Sequence, residues 1–395
     1  MKFALKTSVI ISVLAVSSLV VAISASVISA QVKQVRKGAR LKMDGSLPTQ
    51  RDVNADTDGD GRTNFLISRA AGSTYLKEGT NPLIKINRGQ YSVRERLAAD
   101  RNTPQLVDSA MAPGIQWWGS ETNPTHRVFQ LGDSAQDFVI IQDFDGDGKD
   151  DPAIWRPGNP GKFIIYLATT NTFREESFGL AGDDPTVTGD YDGDGKADPA
   201  TFRCPATTPG QCYFFYRGSL NNPSGGITFV PWGFGVDGDF YANPGDFDGD
   251  GKYDFCLQRT APGTSSNGQF VLLKSSNFGV EYINWGNDTD FVIPGDYDGD
   301  GKSDFCVRKT LNSIHYYWIL TRTGQASVIP WGKSGDESVP GDYDGDGLQD
   351  IAIWREDSAN AGNNYFWVRK SSDGSHLAFE WGMGFDYPVA NWFVH

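Results

Sequence analysis

The chain has 395 residues, with 35 Lys plus Arg against 49 Asp plus Glu, a formal net charge of −14 and 46 glycines. Its 50 aromatic residues exclude an acidic disordered tail, which lacks the apolar surface needed to collapse. The acidic balance argues against sequence-independent nucleic-acid binding, which needs a basic face, and the length allows one large core or two to three ordinary domains.

The first element is a targeting segment. Lys2 and Lys6 precede an uncharged stretch from Thr7 to Val32 whose apolar part runs from Val9 to Ile28. Small residues follow, and cleavage after Ala30 or Ser26 fits a signal peptide over residues 1–30. The same stretch is long enough to stay in a bilayer as an anchor, and five basic residues (Lys33, Arg36, Lys37, Arg40, Lys42) follow it closely. No cysteine lies near the cleavage region, which argues against a lipoprotein. Both alternatives imply export. A linker is expected over 31–51.

From residue 52 onward the chain repeats. A segment rich in Asp and Gly starts at Asp56, Asp143, Asp190, Asp246, Asp296 and Asp342, with spacings of 47, 56, 50 and 46 residues among the last five. Periods of this size indicate propellers or solenoids. After each loop comes a short apolar run, such as Ala153-Ile154-Trp155 or Phe305-Cys306-Val307. An aromatic, β-branched run follows, as in His315 to Leu320. A third run ends in an apolar residue and Gly: Leu131-Gly132, Phe178-Gly179, Trp232-Gly233, Trp285-Gly286, Trp331-Gly332 and Trp381-Gly382. A fourth short run, as in Phe291-Val292-Ile293, leads into the next loop. Four short strands with turns between them predict one propeller blade per repeat.

The chain is therefore expected to be an all-β β-propeller of six four-stranded blades over residues 52–395. The first loop has no such marker before it and the last marker has no loop after it, so the C-terminal stretch Asp386 to Trp392 is expected to pair with the first blade and close the ring. The distance from Asp56 to Asp143 is 87 residues, which places an insertion over 70–113 in the first blade. It lacks both markers, which disfavours a seventh blade. Its net charge is +2, opposite to that of the chain, and a surface loop is the simplest account of it.

Each loop offers carboxylates at positions 1, 3 and 5 and a carboxylate or carboxamide at position 9. Alternate spacing around a tight turn points these oxygens at one centre, and Gly at 4 and 6 permits the curvature. Four hard oxygen ligands plus the position-7 carbonyl suit Ca²⁺, up to six ions in all. The candidate ligands are Asp56, Asp58, Asp60, Arg62 and Asn64; Asp143, Asp145, Asp147, Lys149 and Asp151; Asp190, Asp192, Asp194, Lys196 and Asp198; Asp246, Asp248, Asp250, Lys252 and Asp254; Asp296, Asp298, Asp300, Lys302 and Asp304; and Asp342, Asp344, Asp346, Leu348 and Asp350. Arg62, the four lysines and Leu348 enter through their backbone carbonyls. Position 12 is a strand residue in every copy and not the bidentate Glu of an EF-hand. Asn64 in place of Asp makes the first site the weakest expected.

The pattern Asp-Tyr-Asp-Gly-Asp-Gly-Lys-Xaa-Asp followed by an apolar strand resembles the FG-GAP/VCBS repeat family, and the resemblance covers residues 52–395. It implies an integrin-alpha-like propeller with calcium in the loops between the first two strands of each blade. The family specifies fold and metal but little about what is bound.

Other recurring residues read as structural. Position 14 holds Arg69, Arg156, Arg203, Arg259, Lys309 and Arg355, expected as ion pairs with loop or neighbouring-blade carboxylates in preference to a ligand-binding ring. The Trp of the Trp-Gly markers is expected to pack between blades in preference to stacking on sugars. Cys204 and Cys212 flank a turn-rich loop and are expected to form a disulfide, whereas Cys256 and Cys306 stand where other repeats have Ala and read as small core residues.

These features favour an exported calcium-binding module for a protein or carbohydrate ligand, in adhesion or surface recognition. Nucleic acid is not an expected partner, and a membrane is one only if the N-terminal segment is retained. The alternatives are an extracellular polysaccharide lyase or hydrolase on a propeller scaffold and a purely structural surface protein. The four histidines (His126, His315, His376, His395) form no hydrolase or zinc motif, and no nucleophile elbow or phosphate loop is present. The 23 loop Asp residues are nearly half of the 49 acids. Loss of Lys2 and Lys6 with a signal segment takes the charge from −14 to −16, and six Ca²⁺ would return twelve charges, leaving −4.

Overall fold

A computed structural model describes residues 55–57, 59, 61–70, 114–120, 127–133, 137–167, 169–205, 210–235, 241–356, 364–382 and 387–389. The N-terminal segment, Asp58, Asp60 and the insertion from residue 71 to 113 lie outside them. The fold is an all-β propeller, and among the described residues no helix is long and apolar enough to cross a membrane.

Among the described residues the strands group into six sheets. The first holds β1 (Phe65–Ala70), β2 (Gly114–Ser120) and β3 (Arg127–Asp133), and the second β4 (Phe138–Gln142), β5 (Asp151–Arg156), β6 (Lys162–Leu167) and β7 (Thr172–Ser177). The third holds β8 (Ala200–Arg203), β9 (Gly210–Tyr216) and β10 (Thr228–Gly235). The fourth holds β11 (Tyr241–Ala242), β12 (Phe255–Thr260), β13 (Asn267–Leu273) and β14 (Val280–Asn287). The fifth holds β15 (Phe291–Val292), β16 (Phe305–Leu311), β17 (Ile314–Leu320) and β18 (Ala326–Lys333). The sixth holds β19 (Glu337–Ser338), β20 (Ile351–Arg355), β21 (Tyr365–Arg369) and β22 (His376–Glu380). The last strand, β23 (Tyr387–Pro388), joins β1 through Ile67 opposite Pro388 and Ser68 opposite Tyr387.

The expectation of four strands in every sheet needs correction. The third sheet has three. Where its first strand would run, Pro185–Val187 forms a 3-10 turn, capped by the Asp184 carboxylate. Proline supplies no amide for a ladder, so only the isolated bridge of Asp184 with Phe202 remains.

The sheets pack in sequence order, and each hydrophobic cluster straddles two neighbours. Phe144, Trp155 and Phe163 of the second sheet meet Ala197 and Phe215 of the third. Phe202 and Phe214 of the third meet Phe255 and Leu257 of the fourth. Phe270 of the fourth meets Phe305 and Val307 of the fifth, and Tyr317 of the fifth meets Ile351 and Ile353 of the sixth. Phe366 and Val368 of the sixth meet Phe65 of the first, while Leu66 of the first meets Ile141 and Ile154 of the second. Cys256 and Cys306 are buried free thiols within this core.

Four of the apolar-Gly markers are β-bulges. Opposite His315 the partner strand carries two residues, Trp331 and Gly332, because the register jumps between Ile314 and Tyr316. The same jump brackets Trp285-Gly286, Trp232-Gly233 and Leu131-Gly132. Such a bulge needs a residue at positive φ, and Gly332 and Gly286 supply φ of 84° and 68°. The freed Trp turns to the next sheet. Trp232 Nε1 donates to Val271 O at 3.2 Å, Trp285 Nε1 to Trp318 O at 3.1 Å and Trp331 Nε1 to Trp367 O at 3.1 Å. The Trp side chains therefore serve packing between sheets.

Candidate metal centre

Each acidic loop connects the lead-in segment of a sheet to its next strand, and its first Asp organises the turn. Asp143 accepts from the Gly146 amide at 2.7 Å through Oδ1 and from the Gly148 amide at 2.8 Å through Oδ2. Asp190, Asp246 and Asp342 repeat this with their own glycines, as does Asp56 with Gly59 and Gly61. These glycines have φ between 76° and 88°, a region costly for residues with a Cβ. The ninth residue ties the other end. Asp151, Asp198, Asp254, Asp304 and Asp350 each accept the amide of position 2 at 2.9–3.1 Å. In the first loop Asn64 Oδ1 takes that place, accepting the amide and the hydroxyl of Thr57, each at 2.6 Å.

The loops are joined to one another in series. The amide at position 8 of each loop donates to the position-1 carbonyl of the loop before: Asp150 to Asp56, Ala197 to Asp143, Tyr253 to Asp190, Ser303 to Asp246, Gln349 to Asp296 and Thr63 to Asp342, all at 2.6–2.8 Å. The last of these carries the series from the final loop back to the first.

Carboxylate oxygens converge in five of the loops. Asp143, Asp145 and Asp151; Asp190, Asp192 and Asp194; Asp246, Asp248 and Asp250; Asp296, Asp298 and Asp300; and Asp342, Asp344 and Asp350 each bring one oxygen within 4.8 Å of the others. Burial and mutual repulsion push several loop acids up. Asp190 is raised to about 6, Asp246 and Asp342 to about 7, in each case by burial first and neighbouring carboxylates second, against the glycine hydrogen bonds. Burial likewise raises Asp198 to about 8, Asp304 to about 7, and Asp254 and Asp350 to about 6. Asp192 is 3% exposed, yet its Oδ1 has no hydrogen-bond partner, and Asp344 Oδ1 is in the same condition. A buried carboxylate oxygen without a donor is unfavourable. All-oxygen donors around such an orphan fit a hard cation such as Ca²⁺.

Two sets of contacts have no counterpart in the ligand pattern read from the sequence. The first is a hydroxyl-bearing turn from the same sheet, seated on five of the loops among the described residues. Ser275 Oγ donates to Asp250 at 3.0 Å and Asp254 at 2.8 Å, and Ser276 Oγ to Asp248 at 2.5 Å. Ser371 and Ser372 contact Asp346, Asp350 and Asp344 in the same way. Thr169 reaches Asp147, Ser219 reaches Asp194, and Thr323 reaches Asp298. The recurring Ser or Thr after the third strand was the available signal. The second is the position-7 side chain, which crosses to the preceding loop. A Cβ added to Gly146 would lie 3.0 Å from Lys196 Cγ, and Gly193, Gly249 and Gly345 face Lys252, Lys302 and Arg62 likewise. Asp58 and Asp60 lie outside the described residues.

Three of the position-14 bases form ion pairs, and their partners correct the expectation. Arg156 grips Asp137 at 2.8 and 2.7 Å, Arg203 grips Asp183 at 2.5 and 2.7 Å, and Arg355 grips Asp336 at 2.8 and 2.6 Å. Each acid lies in the turn entering the same sheet, in neither a loop nor a neighbour. Arg259 instead bonds Gln269 Oε1 at 3.0 and 2.8 Å. Cys204 and Cys212 are disulfide-bonded.

Repeated sheets, sequential packing and a series of linked acidic turns define a β-propeller built from acidic-loop repeats. Residues 296–353, which span the fifth loop, its sheet and the sixth loop, match the FG-GAP-like repeat. No curated protein matches the chain. A solved structure from a structural and mechanistic analysis of two prolyl endopeptidases is similar at a TM-score of 0.37 and 10% identity, over 76% of this chain and 53% of that one. The chain thus spans about half the length of that structure, and no chemistry is transferred from so distant a likeness.

Proposed function

We propose that the chain is an exported, six-bladed propeller whose acidic loops hold Ca²⁺, up to six ions, and that it acts as a binding module for a protein or glycan ligand in surface recognition or adhesion. The observation that carries the metal assignment is the buried, unpartnered Asp192 Oδ1 beside Asp190 and Asp194. The side chains at positions 1, 3, 5 and 9 and the carbonyls at position 7 would supply the ligands, as assigned above for each loop. A bound cation would neutralise carboxylates that otherwise repel and take up protons. The Ser and Thr turns would hold the outward oxygens in place, and the linked loops would pass rigidity from sheet to sheet. Export rests on the basic and apolar pattern of residues 1–30, and the binding role on the FG-GAP-like repeat.

Calcium titration by calorimetry tests the metal, and a protein and glycan array probed with and without chelator tests the role. Saturable calcium binding and array signals lost on chelation are expected. Absence of heat at millimolar calcium would end the metal assignment, and turnover of an arrayed polysaccharide would replace the binding role with an enzymatic one.

A further inference from the structure

Position 13 is buried in the second to sixth repeats: Trp155, Phe202 and Trp354 occupy it in three sheets, but the fifth has Arg308. Arg308 is 6% exposed, with Phe291 lying 4.2 Å from its guanidinium carbon. Its Nη1 donates to Ser338 Oγ at 2.7 Å and to Asp336 O at 3.5 Å. Its Nε is buried without an acceptor. Three other arginines also have a buried Nε without a hydrogen bond, but Arg174, through that Nε, and Arg217 pair with Glu176, and Arg322 pairs with Glu281. Among the described residues Arg308 has no carboxylate partner. The Asp336 carboxylate is already held by Arg355 and by the Lys333 amide.

A count of donors and acceptors identifies what is missing. Ser338 Oγ accepts from Arg308 and lies 2.8 Å from the buried Tyr317 hydroxyl. That pair has two hydroxyl protons and one hydrogen bond between them, so one proton is left over whichever group donates. The neighbouring His315 is held neutral at pH 7, its pKa lowered to about 4 by burial and then by Arg308, and it is engaged by Thr310 and Asp336 O. The site therefore has surplus donors and a buried positive charge, and its two acceptors, Ser338 Oγ and Asp336 O, are already engaged. A guanidinium edge flanked by a hydroxyl is the donor set that recognises oxyanions.

We propose that Arg308, Tyr317 and Ser338 form a binding site for an oxyanion, either a carboxylate or a free tetrahedral anion, at the junction of the fifth and sixth sheets. The site is separate from the acidic loops. Arg308 stands three residues beyond Phe305, about 10 Å along β16 from the loop, and no loop carboxylate takes part.

The test uses the full calcium-loaded chain. Melting is followed against sodium selenate and, separately, sodium acetate, with sodium chloride matching the ionic strength. Crystals soaked in selenate are measured at the selenium edge. Saturable stabilisation by one of the two anions, or a selenium peak within hydrogen-bond distance of Arg308, is expected. Saturation with selenate marks a free tetrahedral ligand, and saturation with acetate alone marks a carboxylate. Arg308→Gln should fold, because Gln258 fills the same position in the preceding repeat, and should lose the saturable response. Tyr317→Phe should weaken half-saturation about tenfold, the scale of one charge-assisted contact. Identical salt responses in wild type and both variants, with no selenium peak, would overturn the proposal and leave the missing acceptor to water.

Discussion

Thr63 of the first acidic loop occupies the space that a side chain on Gly341, just ahead of the last loop, would need: a Cβ at Gly341 would lie 2.3 Å from Thr63 Oγ1. The same relation holds between Gly189 and Tyr253 and between Gly245 and Ser303, at 2.0 and 2.7 Å. A glycine before each of these loops is thus required by the next loop around.

Gly341→Ala should destabilise the protein by about 1–3 kcal/mol through overpacking at the joint between last and first loops. Thr63→Gly should remove the clash, so the double variant should lose less than the sum of the singles. Urea denaturation of the four proteins checks this, and strict additivity would show that the two loops do not meet.

Calcium should raise the melting temperature and chelation should lower it. A single site at a thousand times its Kd contributes about 4 kcal/mol. Asp298→Ala combined with Asp300→Ala removes two of the three clustered carboxylates of the fifth loop. Calorimetric stoichiometry should fall by one site while the other loops keep theirs.

Without calcium, stability should rise as pH falls from about 8 to about 5. The sign follows from proton uptake. Loop acids with folded pKa values of about 6 to 8 bind protons in the folded state at a pH where the unfolded chain, near the usual 3.8, does not. Protonation relieves the repulsion, so this stabilisation is complete near pH 4 and lost as pH rises through 6 to 8. Calcium requires the deprotonated form, so its affinity should drop over the same window. Chemical denaturation at pH 5 and pH 8, with and without chelator, reads both effects.

Trp285→Phe keeps most of the apolar surface but deletes the indole donor to Trp318 O. The expected cost is about 0.5–1.5 kcal/mol, the net contribution of one hydrogen bond whose acceptor water can reach. Trp331→Phe should behave alike at its junction with Trp367. A change near zero for both would mean that the rings act through area alone.

The repeat, the strand order and the pairing of Pro388 with Ile67 were legible in the sequence because each follows from a spacing. The apolar-Gly markers were visible too, but their meaning as bulges was not, since a bulge depends on the register of two strands. The carboxylates gripping Arg156, Arg203 and Arg355 were missed for a similar reason. Asp183 and Asp336 stand four residues after a marker glycine, a recurrence overshadowed by the denser acidic loops. The Ser and Thr turns carry little compositional signal, and only the hairpin geometry brings Ser275 and Ser371 onto their loops. Arg308 shows the limit most plainly: its neighbours in sequence are strand residues like any others, and its missing acceptor emerges only when Ser338 of another sheet is beside it.

The junction of β23 with β1 also bears on the order of events in the life of the chain. Ile67 waits for Pro388, 321 positions later, and closing so long a span costs about 5 kcal/mol in chain entropy before any contact is gained. The first sheet therefore lacks its fourth strand until Pro388 has been made, and every sheet between the two partners can form before that clasp fastens.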